Sequence, residues 1–217
     1  MLHSSNRRAS KDAFTSEGKY FFQLRSDEAG GLNLLYLDYA SQSAIVLCEK
    51  PNCLHNDETC TSFFPLKYGS ASSCVVKNYL YLIFSGSKTE NVPPTLFRLS
   101  LNGQNRTEIS TLPSEFSYSN PIATDGEKLY TICNQLEIND EGIGHTFSNL
   151  ISIALENGAI ETLRKWNSDA YLWGAENSEM FIMVPLNSEG SSLNFNVESI
   201  NAAGELKNTE SFCQMSS

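Results

Sequence analysis

Basic residues are scarce in this chain. Its 15 lysines and arginines stand against 25 aspartates and glutamates, and the formal charge of −10 repels phosphate backbones and anionic lipid headgroups. Nucleic acid and anionic membrane surfaces are therefore not expected as partners. Long apolar runs are missing as well, since nothing approaches the roughly 18 consecutive apolar residues of a membrane-spanning helix. The opening MLHSSNRRASKDAF has two arginines and no apolar core behind them, so it does not read as a secretory leader. The chain is expected to be cytoplasmic or to lack its true N-terminus, with residues 1–12 disordered. Catalytic signatures are absent: there is no G-x-S-x-G, no phosphate loop, no H-E-x-x-H and no G-x-G-x-x-G. Helical periodicity appears nowhere.

What the sequence does hold is self-similarity. Four segments run from small or polar residues through Gly, Asn or Ser into an apolar-aromatic strand: AFTSEGKYFF from Ala13, SCVVKNYLYL from Ser73, IATDGEKLYT from Ile122 and WGAENSEMFI from Trp173. Their aromatics Phe21, Tyr81, Tyr130 and Phe181 are separated by 60, 49 and 51 residues. Each segment is followed by a second strand-like run, placing Leu37, Leu99, Ile153 and Ile200 at matching positions. Tyr79, Tyr81 and Ile83 alternate with Leu80, Leu82 and Phe84, so both faces of that strand are apolar and both are expected to be covered. Asn102-Gly103, Asn157-Gly158 and Ala203-Gly204 mark turns where the chain can reach positive φ at low cost.

A period of about 50 residues with four short strands in each is the arithmetic of a β-propeller blade. The fold class expected is all-β, a β-propeller of about four blades near 13–47, 72–112, 121–166 and 171–213. Rings usually hold about 4 to 8 blades, and a partial ring exposes an unpaired edge. A fragment of a longer ring is expected in preference to a closed ring of four. The longer first spacing marks an insertion, 48–71, expected to leave the last strand of the first blade near Leu47 and return to the first strand of the second near Ser73. Blade-to-blade connections lie on the face where propellers most often bind ligands, so the insertion is expected on the functional side.

That insertion carries LCEKPNCLHNDETCTSFF from Leu47, with Cys48, Cys53, His55 and Cys60 spaced by five, two and five. Three thiols and an imidazole within one loop form the ligand set of a Cys3His structural zinc site, although the Cys53-x-His55 step is tighter than the common pattern. Pro51 and Asn52 favour a turn that folds the loop back on Cys48. A loop this polar cannot hold itself by burial, so a metal or a covalent bond is expected to order it. A disulfide between two of the three cysteines, or packed reduced thiols, are the alternatives. Cys74 is a further partner if the loop folds down, and otherwise a buried residue like Cys133.

Other candidates are weaker. EINDEGIGH, from Glu137 to His145, gathers Asn139, Asp140 and Glu141 beside glycines but lacks the alternating acids of a calcium loop, so a solvated hairpin tip is expected, with His145 at the surface. Asp38 and Asp125 are carboxylates from which an acid pair for glycoside hydrolysis could be assembled. Trp166 and Trp173 are expected in core packing ahead of sugar stacking.

The stretch Tyr36-Leu37-Asp38-Tyr39, followed by Cys48-Glu49-Lys50-Pro51-Asn52-Cys53-Leu54-His55 and Cys60, resembles a family of uncharacterised Firmicutes surface lipoproteins. These are built on a β-propeller-like domain related in sequence to that of the low-density lipoprotein receptor-related proteins. The resemblance implies an extracellular or cell-surface address and supplies no catalytic residues; since the family's leader and lipid-anchor cysteine are not read in this stretch, a fragment is expected. The function expected is a non-catalytic binding or scaffold module recognising a surface peptide, glycan or protein. A carbohydrate-active propeller hydrolase or lyase is the alternative, and it requires acidic side chains that converge.

Overall fold

The computed structural model describes residues 3–4, 13–14, 19–26, 30–118, 121–138, 142–186 and 193–214. Strands dominate them, and the only helical piece among them is a 3-10 turn at Leu66–Tyr68. In chain order the first strands are β1 (His3–Ser4), β2 (Ala13–Phe14), β3 (Lys19–Ser26), β4 (Gly31–Asp38), β5 (Ser43–Val46) and β6 (Phe63–Pro65). Then come β7 (Ala71–Val76), β8 (Tyr79–Phe84), β9 (Thr95–Ser100), β10 (Thr107–Thr111), β11 (Phe116–Tyr118), β12 (Ala123–Thr124) and β13 (Lys128–Ile138). The rest are β14 (Gly144–Ala154), β15 (Ile160–Trp166), β16 (Tyr171–Glu176), β17 (Glu179–Pro185), β18 (Leu193–Asn201) and β19 (Leu206–Gln214).

The chain divides into two compact units, Ser10–Ser114 and Met1–Ala9 with Glu115–Ser217. The first unit holds two antiparallel meanders, β2-β3-β4-β5 and β7-β8-β9-β10. The other holds β12-β13-β14-β15, with β1 on β12 and β11 beside β13, and β16-β17-β18-β19. Four antiparallel sheets, each built on a four-stranded meander, are the blades of an all-β, β-propeller fold.

One register recurs in all four. The residue before each repeat aromatic faces the matching apolar residue of the next strand: Tyr20 opposite Leu37, Leu80 opposite Leu99, Leu129 opposite Ile153 and Met180 opposite Ile200. A slip of one residue would turn every side chain of a strand to the wrong face, so the shared register fixes equivalent faces from sheet to sheet. In the first unit, Leu34 and Tyr36, on the face of β4 away from Leu35 and Leu37, pack with Leu80, Leu82, Phe84 and Leu99. In the other unit, Tyr130 and Ile132 pack with Met180, Ile182 and Ile200. The same rule governs both cores: the aromatic face of one sheet takes the opposite-parity face of the next.

The turns behave as their chemistry predicts, with Gly103, Gly158 and Gly204 at φ +80°, +72° and +81°. Between β5 and β7 the cysteine insertion touches the first sheet a second time. β5 pairs with Leu35–Asp38 while β6 pairs with Gly31–Asn33, so the loop leaves the fourth-strand edge of the first sheet and rejoins that edge before the chain goes on to β7. Burial explains the return. The Phe64 ring lies 4.7 Å from Phe84 and 5.5 Å from Phe97, and the Phe63 ring covers Gly31, where any Cβ would overlap it.

Candidate metal centre

Leu47 begins the site. Its amide donates to the Leu34 carbonyl at 2.9 Å, which fixes the end of β5 against β4 and places Cys48 just past the sheet edge. Beyond Cys48 the chain turns through Asn52 and His55, both in the left-handed region at φ 56° and 55°. It closes through Asp57, whose side chain accepts from the Thr59 amide and whose carbonyl accepts from the Cys60 amide at 3.1 Å. These turns bring one ligand atom from each of Cys48, Cys53, His55 and Cys60 within 4.8 Å of one another. All four sequence candidates thus converge. Cys74 and Cys133 lie outside the cluster, both fully buried; burial pushes the Cys74 thiol up to about 12 and that of Cys133 upward as well.

The donors sit in unlike surroundings. Cys60 is 1% exposed, with its Sγ 3.1 Å from Ser62 Oγ and 3.3 Å from His55 Nδ1. Burial alone would raise its pKa, but hydrogen bonds from Ser62, His55 and the Ser62 amide outweigh it and draw the thiol down to about 6. Cys48 moves the other way, to about 11, because burial disfavours its charged form and the neighbouring thiols add to that. One thiol ready to ionise and others held beside it suit a cation, which lowers every thiol pKa on binding.

Two clamps from the second sheet hold the loop. Arg106 donates to the carbonyls of Phe63 at 2.6 Å, Thr61 at 3.4 Å and Glu58 at 3.4 Å, and its guanidinium lies 4.8 Å from the Phe64 ring. The Glu49 carboxylate accepts from Gln104 at 2.6 Å and Asn102 at 3.3 Å. Within the loop, Lys50 donates to the Thr59 carbonyl. Sequence reading gave neither Arg106 nor Glu49 a role: Arg106 sits in no motif, and Glu49, although inside the cysteine stretch, meets Asn102 and Gln104 only when the hairpin folds against the loop. Beside the cluster is an open cavity of about 270 Å³ lined in part by Lys50, Pro51, Asn52, Leu54 and Asn56, with Leu54 81% exposed.

The other candidates resolve differently. Asp38 accepts from the Ala40 amide in a surface turn, and Asp125 accepts from Glu127 and Lys128 amides and the Tyr130 hydroxyl, so each serves its own turn. Trp166 is buried as expected, its indole donating to Glu198 at 3.1 Å. Trp173 is not: it falls at a bulge between Leu172 and Gly174 and is 54% exposed. His145 is exposed near the β13–β14 hairpin end, and Asn139, Asp140 and Glu141 lie outside the described residues.

No protein-family model matches the sequence, and no curated protein matches it. Among solved structures, the oligogalacturonate lyase of Vibrio parahaemolyticus is 14% identical with a TM-score of 0.50, covering 96% of this chain and 52% of that one. An acylaminoacyl peptidase in complex with Z-Gly-Gly-Phe-chloromethyl ketone is 9% identical with a TM-score of 0.52, over 94% of this chain and 32% of that one. The Pyrococcus horikoshii acylaminoacyl peptidase is likewise 9% identical, with a TM-score of 0.51 over 96% and 32%. These likenesses are of fold, and they agree with the β-propeller. The chain spans about half the length of the lyase it matches.

Proposed function

We propose that this chain is a non-catalytic β-propeller binding module of a bacterial cell-surface protein, whose cysteine loop is held by a structural zinc ion. One observation carries the reading: Cys48, Cys53, His55 and Cys60 converge within 4.8 Å from a single short loop. Four protein donors complete a tetrahedral shell, which is the form of a structural site, whereas catalytic zinc keeps a position for water or substrate. Three thiolates and an imidazole select a soft or borderline ion such as zinc over calcium or magnesium. Zinc here would order a polar loop whose outer surface, with exposed Leu54 and the adjoining cavity, is presented to a surface peptide, glycan or protein. The surface address follows from the resemblance of the Tyr36–Cys60 stretch to the Firmicutes lipoproteins.

Metal analysis of the purified protein, paired with thiol counting under denaturing conditions, tests the zinc. One zinc per chain with all six cysteines reactive is the expected result. Metal-free protein with two thiols missing would replace the ion with a disulfide. His55→Ala separates the two chemistries further, since it should lower zinc affinity by about 100-fold or more, yet be almost silent where a disulfide holds the loop. The catalytic alternative, a carbohydrate hydrolase or lyase, is tested by incubation with oligogalacturonate and other surface glycans. No turnover is expected, and turnover would displace the binding module.

A further inference from the structure

The three thiols of the cysteine loop are held unequally. Cys60 is 1% exposed, with its Sγ 3.1 Å from Ser62 Oγ and 3.3 Å from His55 Nδ1. Its backbone is fastened as well: the amide donates to the Asp57 carbonyl and the carbonyl accepts from the Phe63 amide. Cys48 and Cys53 are half-buried, and Cys53 lines the open cavity of about 270 Å³, so a small solute there meets the Cys53 sulfur.

Cys48 and Cys53 also suit each other. Their sulfurs lie within 4.8 Å, and the turn between them, Glu49 to Asn52, is exposed throughout. Asn52, at φ 56°, already bends it back toward Cys48. A disulfide requires closure to about 2.05 Å. Glu49 and Lys50 reach Gln104 and Thr59 through flexible side chains, so the backbone of the turn can make that move. Cys60, tied through both its sulfur and its backbone, cannot follow as readily. Metal-bound thiolates remain nucleophiles, and the residue that meets solutes is therefore the one placed to react first.

We propose, resting on the zinc reading above, that the loop is a redox switch thrown by hydroperoxides: Cys53 and Cys48 join in a disulfide, and the ion, left with Cys60 and His55, departs. The Cys53 thiolate attacks a peroxide oxygen; the S–O bond forms, the O–O bond breaks, hydroxide leaves and two electrons pass from sulfur to peroxide. The Cys48 thiolate then attacks the Cys53 sulfur, forming the S–S bond and expelling a second hydroxide. Two donors cannot complete a tetrahedral shell. The new bond fastens only the Cys48–Cys53 turn, so the Leu54–Thr59 side of the cavity loses the ion that tied it there, while Arg106 keeps its hold on Thr61 and Phe63.

The test titrates zinc-loaded protein, purified under reducing conditions, with hydrogen peroxide. A chromogenic chelator reads the freed ion, and non-reducing digestion at glutamate maps the sulfurs. Cleavage after Glu49 and Glu58 puts Cys48, Cys53 and Cys60 on separate peptides. One zinc should be lost per Cys48–Cys53 cross-link, with buried Cys74 and Cys133 still reduced, and a thiol reductant with added zinc should reverse both changes. Zinc retained while Cys74 or Cys133 oxidises, or lost with Cys60 in the cross-link, overturns the switch and leaves the zinc site standing. Reduced protein that takes up no zinc overturns both. Cys48→Ser should stop the reaction at a Cys53 sulfenic acid, trapped by dimedone, and Cys53→Ser should abolish adduct and cross-link together. Both variants are read on sulfur, so the result does not depend on their holding zinc; a dimedone adduct on Cys60 in place of Cys53 overturns the assignment.

Discussion

At the scale of single residues, the clearest electrostatic device outside the cysteine loop is Asp125. Burial alone would raise its carboxyl, but the Tyr130 hydroxyl at 2.7 Å and the amides of Lys128 and Glu127 outweigh that and hold it below its ordinary value of 3.8. A carboxylate depressed by folding stabilises the native state above its unfolded pKa, and the contribution fades as pH falls through the folded pKa. Asp125→Asn should therefore cost on the order of 1 kcal/mol at neutral pH, a figure already reduced for its partial exposure. The gap between parent and variant should close as acid titrates the parent. Denaturant titrations at neutral pH and at about pH 3 check this, and a constant gap would assign the effect to shape instead of charge. Sequence reading offered Asp125 as half of an acid pair for glycoside hydrolysis and not as a turn residue, because its three partners close on it only when the β12–β13 turn forms. Cys48, Cys53, His55 and Cys60 were legible for the opposite reason: all four lie in one short stretch, so no distant part of the chain is needed to bring them within 4.8 Å. Trp173 was misjudged as core because composition reports that tryptophan buries area, not which side of a bulge it occupies.

At the scale of elements, turns decide how the sheets meet. Gly103 sits at φ +80° between β9 and β10, and a Cβ there would overlap the Leu47 carbonyl, next to Cys48. Gly126, at φ +92° in the β12–β13 turn, has open space around it. Alanine at Gly126 should cost about 1 kcal/mol through backbone conformation alone, whereas alanine at Gly103 should cost about 2–4 kcal/mol because the hairpin must also move off Leu47. Only Gly103→Ala should weaken metal binding at the proposed site, since Asn102 and Gln104 on the same turn hold Glu49. Equal costs, or unchanged metal affinity, would mean the hairpin does not position the loop. The strands themselves were readable because apolar alternation and Asn-Gly or Ala-Gly turns recur with one spacing, and that spacing became one register in four sheets. β6 was not readable. Three residues, Phe63–Pro65, are too few to show periodicity, and their place against Gly31–Asn33 is set by aromatic burial from a distant sheet.

At the scale of the whole molecule, each compact unit has a core of its own. Among the described residues, the cluster around Leu80 and Phe84 draws on residues between Leu32 and Leu101, and the cluster around Ile132 and Ile182 on residues between Ala123 and Ala202. All four candidate metal donors belong to the first unit, as do the Arg106 and Glu49 clamps. Stability in such a chain is local, and removing a ligand that binds one unit destabilises that unit by its own binding free energy. Stripping the proposed ion with a chelator should accordingly speed amide exchange along β5, β6 and the loop between them, where the Leu47, Cys60 and Phe63 amides are held by backbone bonds. It should leave the paired amides of β13, β14 and β17 as slow as before. Hydrogen exchange read by mass spectrometry, with and without chelator, resolves the two halves in one experiment. Protection lost uniformly along the chain would mean that the loop supports the entire fold, and protection lost nowhere would mean that Arg106, Glu49 and the burial of Phe63 and Phe64 hold the loop without any ion.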